Sequence, residues 1–214
     1  MITTPSRRGF LNGSLSLVAL SGAAAFPRGA AAQGAEPTET EVLRDPDIPA
    51  AGNLKGDLTI VEFSDYQCPH CRTSHPHLER AAREDGKVRL VFKSWPILGE
   101  ESIYPAQMAL AARAQDKYNE AHRALIAIKG QPTPERTQKA LAEAGIDVER
   151  AQAYLNENVK AIAAILKRNN DQAEAFGFQG TPAFIVGKYR VPYPLDLKAF
   201  KLVIADARKT FSGK

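Results

Sequence analysis

The chain has 214 residues, with 28 Lys plus Arg against 24 Asp plus Glu and only two cysteines. Its first 32 residues hold three of the arginines and no acid, so beyond them the net charge is about +1, which leaves no basic footprint for nucleic acid or an anionic membrane. The remaining stretch of about 180 residues is long enough to bury a real core in one domain, so no disulfide is needed for folding.

Ser6-Arg7-Arg8-Gly9-Phe10-Leu11 precedes an uncharged stretch from Leu15 to Phe26 and small residues from Gly29 to Ala32. A positive start, a short apolar middle and an Ala-x-Ala end read as a secretory signal over residues 1–32, too short to span a bilayer as a mature helix. The paired arginines followed by Phe-Leu resemble a twin-arginine export signal. Cleavage is expected after Ala32, with a periplasmic mature protein. Residues 33–56 carry turn signals at Asp45-Pro46-Asp47 and Ala51-Gly52-Asn53 and read as a leader.

Leu58 to Ser64, LTIVEFS, is β-branched and aromatic enough for a buried strand. A helix is predicted from Pro69 to Glu84 and a second strand from Val88 to Trp95, which together make a βαβ unit with a parallel pair. From Ser102 to Phe176 the chain is Ala-rich, and helices are predicted over Ser102–Ile128, Pro134–Ala144, Val148–Asn156 and Asn158–Phe176. Met108, Leu110, Leu125, Ile126 and Ile128 read as core. Strand character returns at Ala183–Val186 and Lys188–Val191, and Leu195–Thr210 closes the chain as an amphipathic helix. The order predicts an α/β fold: residues 57–101 and 177–214 build one mixed sheet, and residues 102–176 are a helical insertion into it.

Both cysteines lie in Tyr66-Gln67-Cys68-Pro69-His70-Cys71. A structural bridge over two intervening residues closes a very small loop and constrains the unfolded chain little. With Cys68 ending a loop and Pro69 as the first helical residue, the Cys68 sulfur faces the free N–H groups of His70 and Cys71 at the positive end of the helix. That environment favours the thiolate, which is the nucleophile. The helix terminus contributes roughly 1 kcal/mol, enough to lower the thiol pKa from about 8.5 to about 7.5. Any further drop is assigned to His70. Cys71, one turn on, is within bridging distance and would resolve a mixed disulfide formed at Cys68.

Glu62 lies in an otherwise apolar strand, where an acid is costly unless partnered or used. It is a candidate proton shuttle for Cys71, with Lys93 on the neighbouring strand as its counter-ion. Pro76 should kink the first helix. A metal site is the alternative: Cys68, Cys71 and His75 fall at i, i+3 and i+7, with His70 and His77 nearby, but no second cysteine pair completes the set. His75 and His77 read otherwise as exposed or groove-lining, and His122 as a residue of a polar helix face. Trp95, Pro96, Ile97 and Leu98 could form an apolar groove for unfolded substrates.

The Cys-Pro-His-Cys tetrapeptide after a buried strand, Pro76 beyond it, Gly180-Thr181-Pro182-Ala183-Phe184 opening a late strand and the helical insertion together resemble the DsbA family of thiol-disulfide oxidoreductases in the thioredoxin superfamily, in its Gly-Thr-Pro-containing subgroup. The resemblance spans about residues 57–211. It implies a thioredoxin-like sheet, Cys68 as the exposed attacking thiol, Cys71 as the buried resolving one, and Pro182 as a cis-proline that exposes the Thr181 backbone to an extended substrate segment. Glu62 falls where relatives keep a buried acid. The expected activity is disulfide formation in exported proteins, with a disulfide isomerase or reductase of the same fold as the alternative, because Thr181 stands where the best-known oxidases have valine. A DsbB-like membrane quinone reductase is the implied reoxidation partner, the chain is expected to be a monomer, and no segment indicates NAD, flavin or another cofactor.

Overall fold

A run of β-branched and aromatic residues from Leu58 to Ser64 forms the central strand of the fold, and every one of its residues is buried, as a strand covered on both faces must be. The computed structural model describes residues 37–212, so the export signal expected over residues 1–32 and its cleavage after Ala32 lie outside the described residues. Within them the order is α1 (Glu39–Leu43), β1 (Ala51–Gly52), β2 (Leu58–Ser64), α2 (Pro69–Asp85), β3 (Val88–Ser94), α3 (Ile103–Ala111), α4 (Tyr118–Ile126), α5 (Pro134–Glu143), α6 (Val148–Glu157), α7 (Val159–Ala175), β4 (Ala183–Val186), β5 (Tyr189–Val191) and α8 (Leu197–Ser212). The strands form one mixed sheet in the order β1-β3-β2-β4-β5, with β2 and β3 parallel and the other pairs antiparallel. The two ends of the described chain therefore meet at β2, and the helical insertion lies between them in sequence. No helix among the described residues is long and apolar enough to cross a membrane.

The register decides which side chains meet. Glu62 sits beside Phe92 and Phe184, whereas Phe63 sits beside Lys93 and Ala183. Successive residues of a strand point to opposite faces. Glu62, Phe92 and Phe184 thus share one face with α2, α4 and α8, where His122 of α4 stacks on Phe92 and Phe200 of α8 packs edge-on against Phe184. Phe63 and Lys93 share the other with α1 and α7, where Phe63 meets Trp95, Phe176 and Phe178.

That parity overturns the expected Glu62–Lys93 pair. Lys93 is fully buried on the opposite face, its Nζ 2.5 Å from Asp45 Oδ2 and 3.5 Å from Asn169 Oδ1. Arg168 of α7 reaches both carboxylate oxygens of Asp45, at 2.8 and 3.0 Å. Burial is the largest effect on Asp45 and opposes its charge, but the hydrogen bond and charge of Lys93, with the Asp47 N–H and Arg168, together outweigh it and hold the carboxyl below its usual range. Asp45 belongs to the stretch before β2, which also contributes buried Val42 and Ile48, a capping box at Thr38 and Glu41, and the edge strand β1. Val42, Leu43, Ile48 and Ala51 make this part of the leader a piece of the core.

The helix predicted over Ser102–Ile128 is two helices. A 3-10 turn at Ala112–Gln115 and a left-handed Asp116, with φ 57°, end α3 and redirect the chain into α4. Helix α2 continues through Pro76 to Asp85. Met108, Leu110, Leu125, Ile126 and Ile128 are buried, as their spacing indicates.

Candidate active site

Cys68 is the N-cap of α2, with extended backbone (φ −69°, ψ 116°), and Pro69 is the first helical residue. Proline suits that place because its φ is preset and its missing N–H has no intrahelical use. The Cys68 sulfur accepts from the Cys71 N–H at 3.4 Å, one of the donors the helix leaves unpaired. From the second half of the sequence, the Thr181 carbonyl accepts the Cys68 thiol at 3.1 Å, and the Thr181–Pro182 bond is cis. The structure thus brings Cys68, Pro69, Cys71, Thr181 and Pro182 together.

The two free thiols differ sharply. The Cys71 side chain, then the Thr181 hydroxyl and the N–H groups of Cys71 and His70, overcome the effect of burial and hold the Cys68 pKa at about 5. Cys71 is pushed the other way, by burial first and then by Cys68 and Glu62. Cys68 is 4 % exposed and Cys71 0 %, so the attacking sulfur is more enclosed than the family resemblance implies. The imidazole of His70 is exposed; its backbone N–H is what acts on the sulfur. The Thr181 hydroxyl is buried without a hydrogen-bond partner while its carbonyl receives the thiol.

Glu62 is fully buried on the same sheet face as α2, and its partner is His75, whose Nδ1 lies 2.7 Å from Glu62 Oε2. His75 is 2 % exposed, which overturns its reading as a surface or groove residue. It faces Glu62 rather than the cysteines, so the metal set of Cys68, Cys71 and His75 does not assemble. His77 is half-buried and lines a surface cleft with Leu197, Lys198 and Leu202. His122, expected on a polar face, is fully buried: its Nδ1 is 2.9 Å from the Tyr66 hydroxyl and its Nε2 is 3.9 Å from Glu62 Oε2. Glu62, His75 and His122 form one cluster, with donor atoms within 4.8 Å of one another. The spacing of Tyr118, His122 and Leu125 on α4 is the signal that marks His122 as inward-facing.

Asp65, another buried acid, had no predicted role. One oxygen takes the Gln67 N–H at 2.8 Å and the Ser102 hydroxyl at 2.7 Å; the other takes the N–H groups of Ile97 and Leu98 at 2.8 and 2.9 Å. It ties the loop leading into Cys68 to the segment after β3. Trp95 is buried, its Nε1 3.0 Å from Asn170 Oδ1, whereas Ile97 and Leu98 are 38 % and 48 % exposed. The apolar surface beside the cysteines is therefore Ile97 and Leu98 without the indole.

The thioredoxin family model matches residues 45–206. A solved thioredoxin-like oxidoreductase from Silicibacter pomeroyi is 35% identical, with a TM-score of 0.76 over 81% of this chain and 99% of that one. The thiol:disulfide interchange protein DsbA of Bordetella parapertussis is 28% identical over 206 residues, covering 91% of this chain and 96% of that protein. A Na(+)/H(+) antiporter NhaA 3 from Salinispora tropica is 26% identical over 161 residues, and there the chain spans only about a quarter of the relative's length, 24%. A cysteine at a helix start whose thiol pKa is lowered, a buried second cysteine and a cis-proline opposite them, on a sheet of this topology, accord with these matches, and the chain belongs to the thioredoxin family.

Proposed function

We propose that the protein is an exported oxidase that introduces disulfides into proteins folding outside the cytoplasm. The observation that carries this reading is the asymmetry of the two thiols, with Cys68 held at about 5 and Cys71 pushed up by burial. A substrate thiolate attacks the Cys68 sulfur of the Cys68–Cys71 disulfide, and the electron pair of the broken bond goes to Cys71, which takes a proton. A second substrate thiolate then attacks the substrate sulfur of the mixed disulfide, and Cys68 leaves as a stable thiolate. The enzyme gains two electrons and the substrate gains one disulfide.

In this reading Thr181 and Pro182 present backbone to an extended substrate segment, and exposed Ile97 and Leu98 offer it apolar contact. Glu62 handles the Cys71 proton. Residues 1–32 are the twin-arginine-like signal for a periplasmic protein, residues 57–101 and 177–214 the thioredoxin-like domain, and residues 102–176 its helical insertion. The mature chain works as a monomer that a DsbB-like membrane quinone reductase reoxidises.

The test is the equilibrium reduction potential against glutathione. At pH 7 a thiol pKa of about 5 stabilises the reduced form across two pH units, at about 30 mV each, whereas the thioredoxin thiol near 7 gains almost nothing. The expected potential is therefore about 60 mV above thioredoxin's, roughly −210 mV. A value at the thioredoxin end would replace the oxidase reading with a reductase.

A further inference from the structure

We propose that His75 and Glu79 form a proton path that connects the buried Cys71 thiol and Glu62 carboxyl to solvent. The proposal rests on the thiol-exchange reading above and adds to it the route that the exchange requires. Each reduction of the Cys68–Cys71 disulfide leaves a proton on Cys71, and each reoxidation removes one. Glu62 is fully buried, so by itself it can pass a proton only to another buried group.

Cys71, His75 and Glu79 are spaced four residues apart on α2 and so form one stripe along the helix. The stripe begins in the core and ends at the surface. Glu62 Oε2 is 2.7 Å from His75 Nδ1, while Glu62 Oε1 is buried with no hydrogen-bond partner. At the far side of the ring, His75 Nε2 is also buried and unpartnered, 3.8 Å from Glu79 Oε2. Glu79 is 22% exposed, its Oε1 is 2.6 Å from Arg123 Nε, and both residues line an open cleft of about 460 Å³ with Asn53 and Gly86. The gap of 3.8 Å is too long for a hydrogen bond, so a small rotation or one water must close it at each transfer.

His75 is placed between two carboxylates, one inside and one outside, and an imidazole can accept a proton at one nitrogen while releasing one from the other. The groups facing it are Glu62 from β2, Cys71 and Glu79 from its own helix, and His122 and Arg123 from α4, with Tyr66 behind His122; Phe92 of β3 adds only a ring 5.0 Å away. Burial depresses the His75 pKa, but Glu62 and Glu79 outweigh it and raise the value overall. His122 is kept neutral by burial and is fixed between Tyr66 and Phe92, so it walls the cluster without carrying the path.

When the substrate breaks the Cys68–Cys71 bond, the new Cys71 thiolate needs a proton, and the path brings one inward from the Glu79 side to His75 Nε2, from His75 Nδ1 to Glu62, and from Glu62 to Cys71. On reoxidation the same transfers run outward, which returns the ring to its starting tautomer.

The test separates the two cysteines in time. Reduced protein mixed with 5,5′-dithiobis(2-nitrobenzoate) should release one thionitrobenzoate as Cys68 attacks and a second as Cys71 loses its proton and resolves the mixed disulfide. Glu79→Gln and His75→Asn, the latter keeping a donor on Glu62, should slow the second phase about tenfold at pH 7 and leave the first unchanged. A second phase within about twofold of wild type in either folded variant overturns the proposal. Should His75→Asn fail to fold, Glu79→Gln decides alone. A divalent metal retained stoichiometrically by the purified protein would also overturn it, because the ion would take the place of the proton. Absence of a fast first phase in the wild-type protein would instead refute the redox reading itself.

Discussion

Replacing Thr181 by valine removes one hydroxyl from beside Cys68 while keeping the side-chain shape and the backbone carbonyl. That hydroxyl has no hydrogen-bond partner of its own, and it is among the groups that lower the Cys68 pKa. While the sulfur is protonated it donates to the Thr181 carbonyl; once ionised it can only accept, and the Thr181 side chain is one of the groups that then favour the charge. A hydrogen bond to a charged group contributes about 1.5–3 kcal/mol, and a pH unit corresponds to about 1.4 kcal/mol, so Thr181→Val should raise the Cys68 pKa by about one to two units. Starting from about 5, the new value still lies at or below 7, so the loss appears almost in full at pH 7, as a potential about 30–60 mV more negative. The sign in stability follows from linkage. A thiol whose pKa falls on folding stabilises the reduced protein fully above its unfolded value of about 8.5, and that contribution is lost as pH drops through about 5. The valine variant should lose it at higher pH. Thiolate absorbance at 240 nm across pH gives the midpoint, and glutathione equilibration gives the potential. A variant whose midpoint stays within about 0.3 of wild type would refute the donor role of the hydroxyl.

His70→Ser should move the same midpoint less than Thr181→Val does, because the His70 ring is exposed and the N–H that acts on sulfur survives the substitution; a larger shift would place the imidazole at the sulfur after all. Lys93→Met should destabilise the fold by about 3 kcal/mol in urea unfolding, the low end for breaking a buried pair, since Arg168 still compensates Asp45. A loss below about 1 kcal/mol would mean that Arg168 alone satisfies that carboxylate.

The strands and α2 were legible because their signals are local: a β-branched run, a proline at a helix start, a glycine after the helix end. Pro69 and the Cys68 cap followed from the same logic, and Thr181–Pro182 from its family pattern. The partner of Lys93 was not legible, because it depends on the parity of the β2–β3 register, and one residue of slip exchanges the faces. Pairing Glu62 with His75 needs the rotation of α2 over the sheet, a tertiary quantity that a helical period alone does not give. His122 was closer to hand, since it shares a buried stripe with Tyr118 and Leu125. Asp65 makes its bonds to backbone N–H groups of residues 97 and 98, which no side-chain pattern announces.

Cys68 and Thr181 are 113 residues apart in sequence yet touch. The central strand β2 finds β3 nearby but waits for β4, which is almost the last strand made. Such distant closure is slow, because the loop entropy is lost before the contact forms. Until β4 docks, the thiol pair has its helix but neither the Thr181 carbonyl nor its hydroxyl, so part of what lowers the Cys68 pKa is missing. The full lowering of the Cys68 pKa is in this way a property of the finished sheet, reached only once both halves of the chain have met.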